Sequence, residues 1–276
     1  MLAALSRPVG LLGRAAIAPF AGATAIASLL GATATAAFGQ RPASQALVIR
    51  ETFRQVRATG IATLPSILQM GFLVGLIAAA QVISLLAGFT GTNRVWGILV
   101  LLIFREVAPL MTAIIVAGRA GTVVAADLAN MGASEELEAL ETMGISPLHY
   151  AALPRMVGLF LATNALSFYF VVAALAGAAL ASRIALSLSL GNFLDSILRS
   201  VETRDLAIFM AKTATFALLI SAVAVRQGLA VKRSRREVPL AVSRATFQSL
   251  AVCLIANTLF SLLVYLRLGH IFYLFK

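Results

Sequence analysis

Long stretches without a charged side chain are the feature that most limits how this chain can fold. Residues 58–93 and residues 156–182 contain no Asp, Glu, Lys or Arg. About 20 consecutive apolar residues are enough for a helix to cross the hydrocarbon of a bilayer. The whole chain is 60% hydrophobic and 12% charged, whereas a soluble domain carries about 25% charged residues. We therefore predict an all-α integral membrane protein.

About five membrane-spanning helices account for the apolar segments, all within a single membrane domain over residues 1–276. We treat residues 58–276 as the transmembrane core and residues 1–57 as an N-terminal interfacial region. The predicted spans are residues 61–89, 95–118, 156–182, 206–225 and 245–266.

The distribution of Lys and Arg predicts the orientation of these spans, because cytoplasmic loops carry an excess of both. One side of the membrane receives fourteen of the 22 basic residues and the other side six, while Arg105 and Lys212 lie inside spans. The N-terminus and the loop 119–155 are therefore expected in the cytoplasm, and the C-terminus outside. The same loops explain the net charge of +11, so we do not expect nucleic-acid binding.

Residues 15–38 allow two interpretations. Pro19 and a low leucine content make this segment a poor spanning helix, which favours a helix lying in the cytoplasmic interface over a sixth span. A cleaved signal peptide is disfavoured, because cleavage would leave the basic segment 41–57 on the wrong side.

The sequence offers little for catalysis. Cys253 is the single cysteine, and His149 and His270 lie far apart, so neither a disulfide nor a metal cluster is expected. No Gly-Lys dipeptide occurs, which excludes the phosphate-binding Walker A loop. We expect no cofactor in this chain and no enzymatic activity, so any transport must draw on a partner or a gradient.

The loop 119–155 contains a short acidic helix. Ser134 is a good N-cap, negative charge is favourable in the first turn, and Gly144 followed by Pro147 should end the helix. From the residues alone the helix is either a solvated connector or a docking element for a soluble partner. Its candidate contact residues are Ser134, Glu135, Glu136, Glu138, Leu140, Glu141, Met143 and Gly144.

Three charged residues fall inside predicted spans, where a charge is costly enough to suggest function. Arg105 and Glu106 lie near the middle of the second span and Lys212 in the fourth. Adjacent helical residues point about 100° apart, so Arg105 and Glu106 should neither face one cavity together nor pair directly. The alternatives are a helix break at residues 107–109, which would move the pair towards an interface, and a Lys212 that merely snorkels.

The run from Phe104 to Arg155 resembles the MlaE/YrbE permease family. It contains, in order, a Glu-bearing segment, Gly-Arg-Ala-Gly, the acidic helix, Met-Gly-Ile-x-Pro and a final Pro-Arg. The residues carrying the turns of this pattern are Gly118, Arg119, Gly121, Pro147, Pro154 and Arg155.

This resemblance implies a homodimeric permease subunit of an ABC transporter in the bacterial inner membrane. A cytoplasmic ATPase binding ATP and Mg²⁺ would engage the acidic helix, and a periplasmic MCE protein would exchange phospholipid with it, maintaining outer-membrane lipid asymmetry. A small cytoplasmic accessory subunit is a further implied partner. Arg105, Glu106, Lys212 and Asn257 become lipid-pathway candidates, with Glu106 expected to work without a structural partner. A self-powered secondary transporter and a purely structural membrane subunit are the alternatives.

Overall fold

The computed structural model describes residues 42–86, 99–186, 201–232 and 234–267, together with positions 97, 191, 193 and 195. Within these residues every regular element is helical, and five helices are long and apolar enough to cross a membrane, which confirms the predicted fold class. The predictions for residues 15–38 and for the C-terminal tail lie outside the described residues. The elements are α1 (Pro42–Leu86), α2 (Leu99–Ala133), α3 (Glu136–Thr142), α4 (Leu153–Leu186), α5 (Thr203–Leu229) and α6 (Val238–Arg267).

The first two spanning helices are longer than the hydropathy pattern predicted. Helix α1 has 45 residues, or about 68 Å at 1.5 Å per residue, so residues 42–57 continue the first span without a break. Helix α2 runs on past Arg119 to Ala133, so most of the predicted loop 119–155 is helical. Arginine and other polar residues mark where the lipid ends, but they are good helix formers and do not end a helix.

Helix α2 contains two π-helical turns, Ile103–Val107 and Ala117–Gly121. The first turn leads directly into an α-helical stretch that carries Pro109 near its start. The alternative of a helix break at residues 107–109 is therefore wrong. A π-turn accommodates a proline without a break, because neighbouring backbone groups shift their hydrogen bonds by one residue.

Helices α1 and α4 approach closely along small residues. A Cβ atom added at Gly71 would lie 2.8 Å from the Phe170 carbonyl oxygen, and one added at Gly75 would overlap the Ala174 backbone. From the other side, Gly177 of α4 meets the Phe72 backbone in the same way. Two glycines four residues apart allow such backbone contact between membrane helices, and here the pair joins two helices of one chain.

Helix α5 lies at the centre of the bundle and α6 at its edge. Of the apolar 18-residue window in each helix, 61% is buried in α5 and 11% in α6. Helix α5 packs against α2, α4 and α6. The exposed side of α6 presents large apolar side chains, among them Phe247, Leu259 and Leu263, as expected for a surface that faces lipid or another protein.

Candidate functional site

Lys212 is the centre of a charged network between α2, α5 and α6. Its side chain is only 2% exposed, and its ammonium donates to Glu106 Oε2 over 2.8 Å. It also donates to the backbone oxygen of Arg105 over 2.9 Å. The alternative that Lys212 only snorkels is therefore wrong, because the side chain points into the bundle and finds its partners there.

Pro109 explains why a backbone oxygen is available to Lys212. In an α-helix the carbonyl of residue 105 would accept from the N–H of residue 109, but proline has no N–H. The Arg105 oxygen therefore lacks its regular α-helical donor, which leaves it open to a donor from a side chain. The Lys212 ammonium supplies one, so the proline and the lysine act together.

Glu106 links this network to α6. Ser261 donates to its carboxylate, with distances of 2.9 Å to Oε1 and 3.0 Å to Oε2. The Glu106 side chain is 27% exposed and borders a narrow cavity of about 10 Å³, which is room for about one water molecule. The expectation that Glu106 has no structural partner is wrong, since it holds an ion pair and a serine at once.

Arg105 makes a separate ion pair. Its Nε donates to Asp205 Oδ1 over 2.7 Å, and Asp205 is buried at the start of α5. The other carboxylate oxygen of Asp205 accepts from the backbone N–H of Glu202, at 3.2 Å, and so completes a capping box. Arg105 and Glu106 do not pair with each other, and their partners lie two turns apart on α5. The expectation that the two cannot face one cavity is wrong, because both line the narrow cavity beside Lys212.

Both ion pairs lie nearer the start of α5 than its end. Asp205 lies in the first turn of α5, and Lys212 follows it by seven residues. On α2, Arg105 precedes the end of the helix at Ala133 by 28 residues, or about 42 Å. The expectation that Arg105 and Glu106 lie near the midplane of the membrane stays a prediction. The network lies near the end of the bundle where α2 and α5 begin.

Asn257 lies one turn before Ser261 on α6. Its amide oxygen is buried and has no hydrogen-bond partner in the described part of the chain, and the same holds for the Thr112 hydroxyl on α2. Asn257 does not contact the Lys212 network directly. It leaves an unsatisfied acceptor on the neighbouring turn of the same helix, which is a place for a donor from outside the chain.

The acidic helix lies at the opposite end of the bundle and is shorter than predicted. Helix α3 spans seven residues, none of them buried. Glu135, with a φ of 62°, precedes it as the N-cap. Ser134 instead ends α2, where its hydroxyl donates to the Asn130 oxygen over 2.9 Å, so its assignment as N-cap is wrong.

The predicted end of the acidic helix is confirmed. Gly144 has a φ of 75° and donates its N–H to the Glu141 oxygen over 2.9 Å, a left-handed conformation that glycine adopts without strain. The next two residues lead to Pro147, which precedes the π-helical turn Leu148–Ala152. The two apolar residues of the predicted partner contact differ in exposure: Leu140 is half-buried, and Met143 is 65% exposed.

The Gly-Arg-Ala-Gly motif is not a turn between helices. Gly118, Arg119 and Gly121 lie in the second π-helical turn, inside α2. A Cβ atom at Gly121 would lie 3.4 Å from the Ile220 side chain, an ordinary contact, so the packing of α5 on this turn does not require a glycine. Pro154 and Arg155 lie in the first turn of α4, where the Arg155 guanidinium donates to the Ala151 oxygen over 2.9 Å.

A polar cavity of about 400 Å³ separates α3 from the first helix. Acidic and basic side chains from α1, α2, α3 and α4 line it. Its charged lining residues are Glu51, Arg54, Asp127, Glu136 and Arg155.

Comparisons with known proteins agree with this architecture. The chain is 31% identical over 215 residues to TRIGALACTOSYLDIACYLGLYCEROL 1 of Arabidopsis thaliana chloroplasts, covering 77% of this chain and 61% of that protein. A probable ABC transporter permease of Rickettsia typhi is 27% identical, covering 77% and 82%. The intermembrane phospholipid transport system permease protein MlaE of Haemophilus influenzae is 27% identical, covering 63% and 67%. The model of the family described as permease MlaE matches residues 52–263, and this chain, a multi-pass membrane permease subunit, belongs to that family.

Proposed function

We propose that this chain is the transmembrane subunit of an ABC transporter that moves phospholipid between the inner membrane and a periplasmic MCE protein. In that role it would contribute to the lipid asymmetry of the outer membrane. The observation that carries the proposal is α3, a short acidic helix with no buried residue, held between two packed spans. A helix of this kind is suited to receive a soluble partner.

The partner at α3 is a cytoplasmic ATPase that binds ATP and Mg²⁺. The chain has no phosphate-binding loop of its own, so hydrolysis must occur in another subunit. ATPase closure would push on α3, and the end of α2, against which α3 packs, would carry the movement into the bundle. A small accessory subunit on the same face would stabilise the ATPase contact.

The lipid path lies where two copies of the chain meet. The exposed apolar side chains of α6 form a surface that a second copy would cover, leaving a pocket for acyl chains beside α1 and α2. Glu106 and Lys212 border this pocket through Ser261 on α6. A lipid phosphate attracts the Lys212 ammonium, so an arriving headgroup would compete with Glu106 for it.

Orientation follows from the basic residues. The excess of Lys and Arg on the side of α3 supports a cytoplasmic N-terminus and a cytoplasmic α3, with the Lys212 network towards the periplasm. A reporter fused after Lys276 should be active only in the periplasm, and a reporter active only in the cytoplasm would contradict the orientation.

The alternative function is a self-powered secondary transporter, and the ion pair of Glu106 and Lys212 is the observation in its favour. Proton-coupled transporters use groups of this kind, a carboxylate and an ammonium that pair between two membrane spans. The two functions differ in their energy source. The chain reconstituted in liposomes should move labelled phospholipid only with the co-purifying ATPase and ATP, and transfer by the chain alone under an ion gradient would refute the ABC function.

A further inference from the structure

Arg119 is an exposed cation whose position none of the preceding roles explains. It lies in the second π-helical turn of α2, and its guanidinium donates to the hydroxyl of Ser66 on α1. None of the ion pairs between described residues includes Arg119. The Arg119 side chain is exposed, so its remaining N–H donors are accessible to a ligand.

The depth of Arg119 follows from the ion pair of Arg105. Arg105 pairs with Asp205 in the first turn of α5, at one end of the bundle. Arg119 follows Arg105 by 14 residues on α2, or about 21 Å, and Ser66 contacts it from α1. Because the hydrocarbon layer is about 30 Å thick, Arg119 lies towards its opposite boundary, within reach of lipid phosphates.

We infer that Arg119 and Ser66 form a phosphate-binding site for a phospholipid of the leaflet nearest α3. A guanidinium presents several N–H donors in a plane and suits a phosphate better than an ammonium does. Ser66 takes one donor and so fixes the plane, which leaves the others for the ligand. The site lies about 20 Å along α2 from the Arg105 pair, so it is separate from the Lys212 network.

The inference rests on the proposed membrane orientation only for the name of the leaflet, and not on transport. It can therefore be tested at equilibrium without ATP. The chain is purified in mild detergent with an equimolar mixture of phosphatidylethanolamine and phosphatidylglycerol, and retained lipid is counted by native mass spectrometry. The same titration is made with diacylglycerol, which has no phosphate, and with inorganic phosphate alone.

The variant Arg119→Gln should bind phospholipid about tenfold more weakly, because one charge-assisted contact is lost. The phospholipid affinity of Arg119→Lys should lie between those of Arg119→Gln and the unmodified chain, since lysine keeps the charge but lacks the planar set of N–H donors. The matched control is Arg57→Gln, an exposed arginine on α1 nine residues before Ser66. That distance, about 13 Å, places it beyond the phosphate layer, so its phospholipid retention should equal that of the unmodified chain.

Several results would overturn the inference. Equal losses of retained phospholipid in Arg119→Gln and Arg57→Gln would show an unspecific effect of surface charge. Equal binding of diacylglycerol would show that the site does not recognise phosphate. Inorganic phosphate that binds alone and displaces no lipid would indicate a free-anion site. A loss that merely follows a lower unfolding temperature would make Arg119 structural. Weaker self-association with unchanged lipid per chain would make the site a contact between copies. Unchanged binding here together with working ATP-driven transfer would refute this site and leave the proposed function standing.

Discussion

The two ends of the bundle hold their charges in opposite ways. Near the start of α2 and α5, charged side chains are drawn into the protein and paired: Arg105 with Asp205, and Glu106 with Lys212. At the other end, the acidic residues of α3 remain exposed. A buried charge is tolerated only with a partner, whereas an exposed one contributes little to stability. The first end is thus fixed by the fold, and the second is exposed to another protein.

The largest effect on stability is expected for Glu106→Gln. This change leaves the Lys212 ammonium, 2% exposed, without a counter-charge, and an uncompensated buried charge costs about 3–5 kcal/mol. Thermal unfolding in detergent measures the loss. A stability equal to that of the unmodified chain would mean that the ion pair contributes nothing, and the contrast between the two ends would fail.

Removing Lys212, the other partner of this ion pair, should lower the free energy of unfolding less than Glu106→Gln does. In Lys212→Met an apolar side chain fills the buried space, while Glu106, at 27% exposed, keeps Ser261 and can reach water. We expect a loss of about 1–3 kcal/mol, from the freed Arg105 carbonyl and the carboxylate together. The double variant should be more stable than Glu106→Gln alone, and simple additivity of the two losses would contradict a direct pair.

A smaller effect is expected at Ser261. Ser261→Ala removes the hydroxyl that links α6 to Glu106 but leaves the ion pair intact, and one such hydrogen bond contributes about 1 kcal/mol. The matched control is Thr258→Ala on the same helix, whose hydroxyl bonds only to the Leu254 oxygen one turn back. Equal losses in both variants would show that the link between α6 and Glu106 is not specific.

The smallest effect on stability is expected at α3. Glu138→Lys combined with Glu141→Lys changes two exposed positions, so the free energy of unfolding should change by less than about 0.5 kcal/mol per site. A loss as large as that of Glu106→Gln would show that α3 is held by the fold as firmly as the Lys212 network.

Hydropathy was sufficient to predict the number of spans, and turn chemistry was sufficient for the end of α3 at Gly144. Both signals are local. Asp205 was missed because a charge at the start of a span resembles a boundary, although its spacing of seven residues from Lys212 puts both on one face of α5. Ser261 gives no signal, since a single serine in an apolar helix is common. The length of α2 was missed because Arg119 ends the lipid-facing segment without ending the helix.

The most direct test of the account is the coupling between ATP hydrolysis and lipid transfer in the α3 variant. The Glu138→Lys, Glu141→Lys chain is reconstituted with its ATPase, and hydrolysis, phospholipid transfer and unfolding temperature are measured on one preparation. The account predicts an unchanged unfolding temperature and transfer reduced to the level of liposomes lacking the chain, whatever hydrolysis remains. Normal transfer per ATP hydrolysed would contradict a coupling role for α3.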